Sequence, residues 1–421
     1  MVYLFSEKCH IFLLAAKERA IMRVVGVIAE YNPLHNGHIY HLEQAKRKTG
    51  ASYCIVVMSG NFVQRGEPAC TDKFTRAEWA LQAGADLVIE LPTVFANASA
   101  ERFAEGAVRL LHATGLVTDL AFGAEQGDIA KLSQLADYLA EEPPEFKSYL
   151  QYHLKMGESF PRARYQALQD MGADPEFLSE LVKPNNILAM EYLRSLHRYA
   201  PEICPVPIER IGGGYNDDFL TGEYSSATAI RAAIREGNTQ VLSTMPLFVS
   251  GAMQFDPQFP LTVNDVGDMM LYKLRLMNPE DVQRLPDVRE GFEQNLLKAA
   301  RTAVDGDSFF EAVKTKRYTM ARVKRIGMSA LLDISEDLVE DMCADDANLY
   351  FRVLGLKRDA RSLLSAIASI SKTPLIMRNS DYGKCTDVAR ESLRVDALST
   401  DILSYALRKP LHRDSEAAVI I

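Results

Sequence analysis

The stretch "RVVGVIAEYNPLHNGHIYHL", residues 23–42, runs from a short apolar segment through a turn into an amphipathic pattern. Its first part, residues 23–30, is an apolar run rich in β-branched residues between Arg23 and Glu30, which predicts a strand buried on both faces of a parallel sheet. Asn36 and Gly37 favour a turn, and residues 38–48 have the apolar spacing of a helix. A strand, a turn and a helix in this order are typical of the opening unit of an α/β domain.

The same alternation continues as far as residue 125. Further strands are predicted at residues 53–60, 86–92 and 119–125, and helices at 72–84 and 99–113. Strands that alternate with helices predict βαβ units, and hence a doubly wound α/β fold around a parallel sheet. Because such sheets bind ligands beyond the carboxyl ends of their strands, we expect the chemistry in the loops "YNPLHNG", "NFVQRGEPA", "PTVFANA" and "GAEQGD".

The pattern changes after this region. "EEPPE" (141–145) interrupts it, the following residues to 200 are mostly helical, and "VPIERI" (206–211) returns as a strand. From about residue 240 the periodicity is largely helical. The predicted organisation is an N-terminal extension at 1–21, with Met1 and Met22 as alternative starts, an α/β domain at 22–238 with a helical insertion at about 141–200, and an α-helical domain at 239–421.

The composition excludes several classes of protein. The 421 residues, of which 48% are hydrophobic, are enough to bury sizeable cores, and no apolar stretch has the length of a membrane span. The six cysteines include no C-x-x-C pair, which favours free thiols in a reducing cytoplasm. A formal net charge of −9 argues against coating of nucleic acid by the whole surface, so any such contact is expected to be local.

His35 and His38 follow the first predicted strand at the start of the next helix. A helix N-terminus supplies unpaired N–H groups and the positive end of a dipole, and imidazoles beside it can donate hydrogen bonds to phosphate oxygens. Gly37 between them would let the backbone approach a phosphate closely. Two alternatives stay open: one histidine caps the helix while the other packs, or His38 and His41 hold a metal, for which the nearby carboxylates offer no obvious geometry.

"SSATAIR" (225–231) places hydroxyl residues at a helix start, with an arginine one turn into the helix. Ser225, Ser226 and Thr228 could hold phosphate oxygens through hydroxyls and backbone N–H groups, and Arg231 through its guanidinium fork. An ordinary cap with a surface arginine is the alternative. The two motifs together are more specific than either one alone.

The pairing of these motifs resembles the H-x-G-H nucleotidyltransferase superfamily, which includes pantetheine-phosphate adenylyltransferases, cytidylyltransferases and class I aminoacyl-tRNA synthetases. Further segments narrow the match, in the order "GVIAEYNPLHNGHIYHL", "VVMSGNFVQRGEPA", "DLVIELP", "FGAE", "KPNNILAMEYL" and "KRYTMARVKRIGMSALL". From Met22 to about residue 360 the chain is similar to the bacterial tRNA(Met) cytidine acetate ligase family. Leu34 and Ala124 depart from the phenylalanine and serine that are common there, and neither is a phosphate-handling group.

The resemblance implies a Rossmann-like, ATP-dependent ligase. Acetate would attack the α-phosphate of ATP to give acetyl-adenylate and pyrophosphate, and Mg²⁺ is expected with the ATP. The N4 amine of the wobble cytidine, position 34 of elongator tRNA(Met), would then attack the acetyl carbonyl to give N4-acetylcytidine and AMP. Displacement at phosphorus needs positioned charge more than a protein nucleophile. The residues expected to supply it are His35, His38, Ser226 and Arg231.

The resemblance also implies which residues surround the ATP. They comprise the first loop with its helix start, the glycine of "FGAE", an asparagine of "PNN", the end of the last strand and the later helix cap: Ile28, Ala29, Glu30, Tyr31, Asn32, Pro33, Leu34, His35, Asn36, Gly37, His38, Ile39, Tyr40, His41, Gly123, Asn185, Asn186, Arg210, Ile211, Ser225 and Thr228. The loop after the second strand faces the same crevice, so Gln64, Arg65 and Glu67 are candidates for the acetate or cytosine pocket. A solvated loop is the alternative there.

"KTKRYTMARVKR" (314–325) contains six basic residues and no acidic one, which is a local exception in an acidic chain. Phosphate contacts would give such a cluster a salt-dependent affinity for tRNA, and Tyr318 could stack on an unpaired base. A solvated helix face is the alternative. The tRNA-binding candidates are Lys316, Arg317, Arg322, Lys324 and Arg325.

Two other functions stay open at this point. A small-molecule nucleotidyltransferase is typically one compact domain and would have no use for the long helical region or its basic run. A non-catalytic protein that binds nucleotide and RNA is the second alternative, against which the presence of both histidines and Arg231 argues. The oligomeric state is not predicted.

Overall fold

A parallel sheet with helices on both faces forms the centre of the computed structural model, which describes residues 23–124, 143–175, 183–211, 219–254, 258–289, 291–411 and 418–421, together with residues 136, 139, 178 and 414. The strands are β1 (Val24–Ala29), β2 (Tyr53–Ser59), β3 (Phe62–Val63), β4 (Glu67–Pro68), β5 (Leu87–Leu91), β6 (Asp119–Ala124), β7 (Cys204–Glu209), β8 (Phe351–Leu356), β9 (Leu375–Ile376) and β10 (Val419–Ile420). Every strand predicted between residues 23 and 211 is present.

Helices account for most of the remaining described residues. They are α1 (Asn36–Thr49), α2 (Lys73–Gln82), α3 (Thr93–Ala96), α4 (Ala100–Ala113), α5 (Pro144–Lys155), α6 (Phe160–Asp170), α7 (Pro184–Tyr199), α8 (Ala227–Arg235), α9 (Leu247–Gln254), α10 (Val263–Leu276), α11 (Pro279–Gln283), α12 (Phe292–Thr302), α13 (Gly306–Val313), α14 (Met320–Leu332), α15 (Glu336–Ala344), α16 (Arg361–Ile370) and α17 (Asp387–Ala406). Among these described residues, no helix is both long enough and apolar enough to cross a membrane.

The strand order confirms the doubly wound fold. It is β10-β8-β5-β2-β1-β6-β7, with β9 paired to β8, and β3 pairs with β4 in a separate hairpin. From β1 the chain moves outward through β2 and β5, and then returns to place β6 and β7 on the other side of β1. The order therefore reverses between β1 and β6, which is where ligands bind in open α/β sheets.

Residues from the C-terminal part of the chain extend this sheet. β8 pairs antiparallel with β5, and β10 pairs parallel with β8. The strands β8 to β10 were not predicted. For β8 the reason is that a short, mostly apolar run buried on both faces cannot be distinguished from a buried helix by its periodicity. The division of the chain at residues 238 and 239 stays a prediction.

Side chains on the two faces of the sheet pack into separate cores. On β1, Val25 and Val27 face a core completed by α1, α2 and α8, whereas Val24 and Ile28 face a core that contains α4, α7 and the C-terminal helices. The alternation follows from the two-residue period of a strand. Elements that cross the carboxyl edge of the sheet can therefore contribute to one site from either face.

A buried group of charges joins the C-terminal residues to this edge. Lys73 of α2 lies 2.7 Å from Glu90 of β5 and 2.5 Å from Asp414, and all three side chains are almost fully shielded from solvent. Charges can be buried in this way only when they are paired and hydrogen-bonded. This group therefore fixes residue 414 against the sheet.

Candidate functional site

A cleft opens at the carboxyl edge of the sheet, where the strand order reverses between β1 and β6. Its walls come from the turn after β1, the start of α1, the β3–β4 hairpin, the ends of β6 and β7, and the start of α8. Most predicted site residues line it: Ile28, Ala29, Glu30, Tyr31, Asn32, His35, Gly37, His38, Tyr40, His41, Gln64, Arg65, Glu67, Gly123, Arg210, Ile211, Ser225, Ser226, Thr228 and Arg231. The two motifs that lie about 190 residues apart in the sequence thus meet in one cleft.

His35 and His38 form the cap of α1. The backbone N–H of Gly37 donates to Nδ1 of His35 at 3.1 Å, and the backbone N–H of His35 donates to Nδ1 of His38 at 3.2 Å. The two rings are stacked with centroids 3.7 Å apart, and Tyr31 meets His38 edge-on at 5.0 Å. The capping alternative therefore describes the structure, and both rings also line the cleft, where donation to a phosphate stays a prediction.

This cap also determines the chemistry of the two rings. A ring nitrogen that accepts a hydrogen bond carries no proton, so each neutral imidazole keeps its proton on Nε2. Burial, followed by the positive charge of Arg210, lowers the pKa of His35 to about 3 and that of His41 to about 4, and burial lowers the pKa of His38 well below its ordinary value. Near neutral pH all three rings are uncharged, and those of His35 and His38 can donate from Nε2.

Gly37 lies directly against the ring of His35 that caps α1. A Cβ at this position would lie 3.0 Å from Cε1 and 3.1 Å from Nδ1 of His35, which is tighter than ordinary van der Waals contact. Gly37 also lines the cleft, and the close approach of a phosphate to its backbone stays a prediction. Gly37 therefore supports the imidazole that lines the cleft.

Ser226 and Arg231 belong to the second helix start. Ser226 caps α8, because the backbone N–H of Ala229 donates to its Oγ at 3.0 Å. One turn later, Arg231 donates to the carbonyl oxygen of Asn32 at 2.6 Å. This bond holds a guanidinium beside the turn that carries His35, so two helix N-termini and one guanidinium converge on the cleft.

The β3–β4 hairpin brings a carboxylate to the same wall. Glu67 lies 2.6 Å from Nζ of Lys324 in α14 and 3.8 Å from the guanidinium of Arg231. Burial acts to raise the pKa of Glu67, but the positive charges of Lys324 and Arg231 outweigh it and hold the pKa below its ordinary value. Glu67 is therefore ionised and joins α14 to the cleft.

Gly66 makes the contact between this hairpin and α14 possible. Its φ of +74° lies in the left-handed region, and a Cβ there would overlap the backbone nitrogen of Arg325. Asn97 also donates to the carbonyl oxygen of Arg325, at 3.1 Å. Helix α14 is thus held directly against a wall of the cleft.

Glu30 is a half-buried carboxylate that directly follows β1. Burial raises its pKa, and the backbone N–H of Gln64 donates to it at 2.9 Å. Arg76, which is fully buried, donates to the carbonyl oxygens of Glu30, Ser59 and Gly60. The carboxyl ends of β1 and β2 are therefore fastened to each other and to the hairpin.

Some predicted nucleotide residues lie elsewhere. Leu34 is fully buried in the core, and Asn36 donates to the carbonyl oxygen of Ser243 at 2.9 Å. Neither they nor Pro33, Ile39 and Asn186 line the cleft. The side chain of Asn185 lies outside the described part of the chain, as does most of the loop "GAEQGD".

Several residues of the cleft wall were not predicted. They are mainly apolar or aromatic: Val27, Val63, Phe103, Phe122, Leu188, Tyr192, Ile208, Glu209, Tyr224 and Ala227. The sequence contains a signal for two of them: Leu188 and Tyr192 lie four residues apart in "KPNNILAMEYL", so they share one face of a helix. Apolar residues of this kind are otherwise indistinguishable in sequence from core residues.

The basic run at 314–325 divides into two parts. Three residues of the helical part contact other protein groups: Arg322 donates to the carbonyl oxygen of Asp287, Arg325 lies 3.3 Å from the carboxylate of Asp287, and Lys324 pairs with Glu67. Lys316 and Arg317, which precede the helix, are exposed. The suggestion that Tyr318 stacks on a base is wrong. Its ring is buried, stacked on Phe292 with centroids 3.5 Å apart, and covered by Arg322 at 4.3 Å.

Comparison with known proteins agrees with this architecture. The HIGH Nucleotidyl Transferase family matches residues 22–417. The tRNA(Met) cytidine acetate ligase of Acetivibrio thermocellus is 39% identical over 402 residues, covering 93% of this chain and 97% of that protein. That of Caldanaerobacter subterraneus is 40% identical over 391 residues, covering 92% and 96%.

A solved structure extends the agreement to three dimensions. The crystal structure of Thermotoga maritima TmcAL without ligand superimposes with a TM-score of 0.90 at 36% identity, covering 95% of this chain and all of the other. A second form of that protein, bound with α-thio ATP, gives a TM-score of 0.88. This chain therefore belongs to the HIGH nucleotidyl transferase family and, within it, to the tRNA(Met) cytidine acetate ligases.

Proposed function

We propose that this protein uses ATP to activate acetate as acetyl-adenylate and then transfers the acetyl group to N4 of the wobble cytidine of elongator tRNA(Met). One observation carries the proposal: the imidazoles of His35 and His38, the cap of α8 and the guanidinium of Arg231 converge on one cleft at the switch point of the sheet. The relatives named for this activity match nearly the whole chain, and the Thermotoga maritima relative binds an ATP analogue.

In the first step an acetate oxygen attacks the α-phosphorus of ATP, and pyrophosphate leaves with the electrons of the broken P–O bond. Charge spreads over the phosphate oxygens in the transition state, so fixed donors around it lower the barrier. Neutral Nε2–H groups of His35 and His38, the N-terminus of α8 and Arg231 are the donors that this chain supplies. Positioning, and no protein nucleophile, accounts for this step.

The expected Mg²⁺ fits a site of this kind only as a partner of ATP. Among the described residues no group of three or more histidine, cysteine, aspartate or glutamate side chains could hold a metal ion. Mg²⁺ usually keeps several waters and binds through substrate phosphates in nucleotide sites. When bound, it would neutralise phosphate charge, and the residues of the cleft would orient the nucleotide around it.

We propose that tRNA reaches the cleft along the loop before α14, where Lys316 and Arg317 are exposed. Arg322, Lys324 and Arg325 are engaged in contacts within the protein, so they would contribute mainly by holding α14 in place.

In the second step the N4 amine of the wobble cytidine attacks the acetyl carbonyl of acetyl-adenylate. AMP leaves with the electrons of the broken C–O bond, and the amine loses a proton to solvent or to a base of the cleft.

The test is incubation of the protein with ATP, labelled acetate and unmodified elongator tRNA(Met), followed by nucleoside analysis. We expect N4-acetylcytidine, AMP and pyrophosphate in equal amounts, and none of the three without acetate. A tRNA whose wobble cytidine is replaced by uridine is the matched control. Formation of a nucleotide adduct of a small metabolite, without acetylated tRNA, would instead favour the small-molecule transferase.

A further inference from the structure

The cleft has an apolar wall to which the phosphate chemistry assigns no role. It is formed by Val63 of the hairpin, Phe103 of α4, Phe122 of β6, and Leu188 and Tyr192 of α7. Four of these side chains are buried, and Leu188 is only half-buried. The rings of Phe122 and Tyr192 lie 6.0 Å apart at an angle of 53° and close the wall.

This wall and the phosphate-facing groups lie on opposite faces of the sheet. Phe122 and Tyr192 belong to the core on the α4 and α7 face, whereas α1 and α8, which carry the histidines and Arg231, pack on the other face. The cleft has other aromatic and apolar lining apart from this wall, because Tyr40 and Tyr224 meet edge to face at 6.5 Å and Ile208 also lines the cleft. These side chains offer an adenine ring aromatic and apolar contacts apart from the wall.

A positive charge stands beside the apolar wall. Arg65 lines the cleft from the same hairpin as Val63, two residues further along the chain. A cation next to a small apolar recess is the combination that a short carboxylic acid requires, because its carboxylate needs a charged donor and its carbon chain needs an apolar surface.

We propose that Val63, Phe122, Leu188 and Tyr192 form an acyl subsite that holds the methyl group of acetate and limits the length of the acid, with Arg65 facing the carboxylate. This inference rests on the proposed function. The methyl group takes no part in the bonds that form and break when the carboxylate attacks the α-phosphorus. The subsite therefore acts on the choice of acid and on its orientation.

Leu188 is the residue at which the subsite can be enlarged with least damage to the core, since it is half-buried and faces the cleft. Replacement of Leu188 by alanine should leave room for longer acids. The matched control is Ile187→Ala, because Ile187 is the neighbouring residue on α7, is also half-buried and does not line the cleft. The opposite change, Leu188→Phe, should fill the space that acetate occupies.

The experiment measures kcat/KM for acid-dependent formation of pyrophosphate with acetate, propionate and butyrate, with and without tRNA, for the wild-type protein and the three variants. One methylene in an apolar pocket commonly changes kcat/KM by tenfold or more. We therefore expect Leu188→Ala to raise the propionate-to-acetate ratio by roughly tenfold, Leu188→Phe to lower kcat/KM for acetate, and Ile187→Ala to leave the ratio unchanged. The KM for ATP should stay at the wild-type value in all of them.

Three results would overturn the proposal. An unchanged acid ratio in Leu188→Ala, together with wild-type behaviour of Leu188→Phe, shows that Leu188 does not contact the acid. If the Leu188 variants have a raised KM for ATP and an unchanged propionate-to-acetate ratio, the wall contacts the adenine ring of ATP instead. If they lose only the transfer of the acetyl group to tRNA, the wall contacts the cytosine. If the wild-type protein forms no pyrophosphate with any acid, the proposed function itself fails.

Discussion

His35 both caps α1 and lines the cleft, so two substitutions at this position separate its structural role from its chemical role. His35→Ala removes the acceptor of the Gly37 N–H, and loss of a side-chain N-cap costs about 1 kcal/mol of stability. His35→Ser restores an oxygen acceptor, since serine is a preferred N-cap and the backbone of His35 is already extended. Both variants lose the stacking on His38, worth about 0.5–1.5 kcal/mol for an aromatic pair.

The two variants should therefore differ in stability but not in activity. His35→Ser is expected to be about 1 kcal/mol more stable than His35→Ala in chemical denaturation, because only the cap distinguishes them. Acetate-dependent formation of pyrophosphate should fall in both by about 10²–10³-fold, the usual cost of one preorganised donor to a transition state. Turnover at the wild-type rate in His35→Ser would refute the donor role, and equal denaturation midpoints would refute the cap.

Three further predictions concern tRNA, the hairpin and pH. Replacement of both Lys316 and Arg317 by alanine should reduce the slope of log affinity for tRNA against log salt by up to about 2, with tRNA-independent turnover unchanged; an unaltered slope in filter binding would place the phosphates elsewhere. Gly66→Ala should be more destabilising than Gly50→Ala, because both glycines have a left-handed backbone but only a Cβ at Gly66 meets backbone atoms. Thermal unfolding measures the difference, and an equal loss of stability in the two variants would contradict the prediction. Burial lowers the pKa of His35 from 6.5 to about 3, so between these pH values the unfolded chain binds more protons than the folded chain. The free energy of unfolding should therefore fall as the pH drops from 6.5 towards 3. In His35→Ser this fall should be visibly smaller.

Local patterns were enough to predict the central part of the fold. Runs such as residues 53–60 are short, apolar and β-branched, and they alternate with amphipathic helices, so sequence spacing alone predicts parallel strands. β8 carries no such local signal. Its pairing with β5 depends on contacts between residues more than 260 positions apart, as in Leu87 with Leu356, and its buried Arg352 is tolerated because the carboxylate of Asp414 lies 3.8 Å away.

The candidate site was predictable where a residue type is chemically unusual in its position. Two histidines and a glycine after a strand, or two serines and an arginine at a helix start, stand out from ordinary core patterns. Phe122 and Tyr192 do not stand out, since their chemistry is that of any core residue and only the fold shows that they border a cleft. Tyr318 failed as a prediction for the opposite reason: an aromatic within a basic run looks exposed, but Phe292 and Arg322 cover its ring.

The shared cap of His35 and His38 has a consequence for coordination chemistry. A transition metal binds imidazole through a nitrogen lone pair, and here the lone pair on Nδ1 of each ring already accepts a backbone N–H. Freeing Nε2 as a ligand would require its proton to move to Nδ1, where it would point at another N–H group and break the first turn of α1. Binding of zinc or nickel by either ring therefore competes with the folding of a helix, which makes His35 and His38 poor metal ligands.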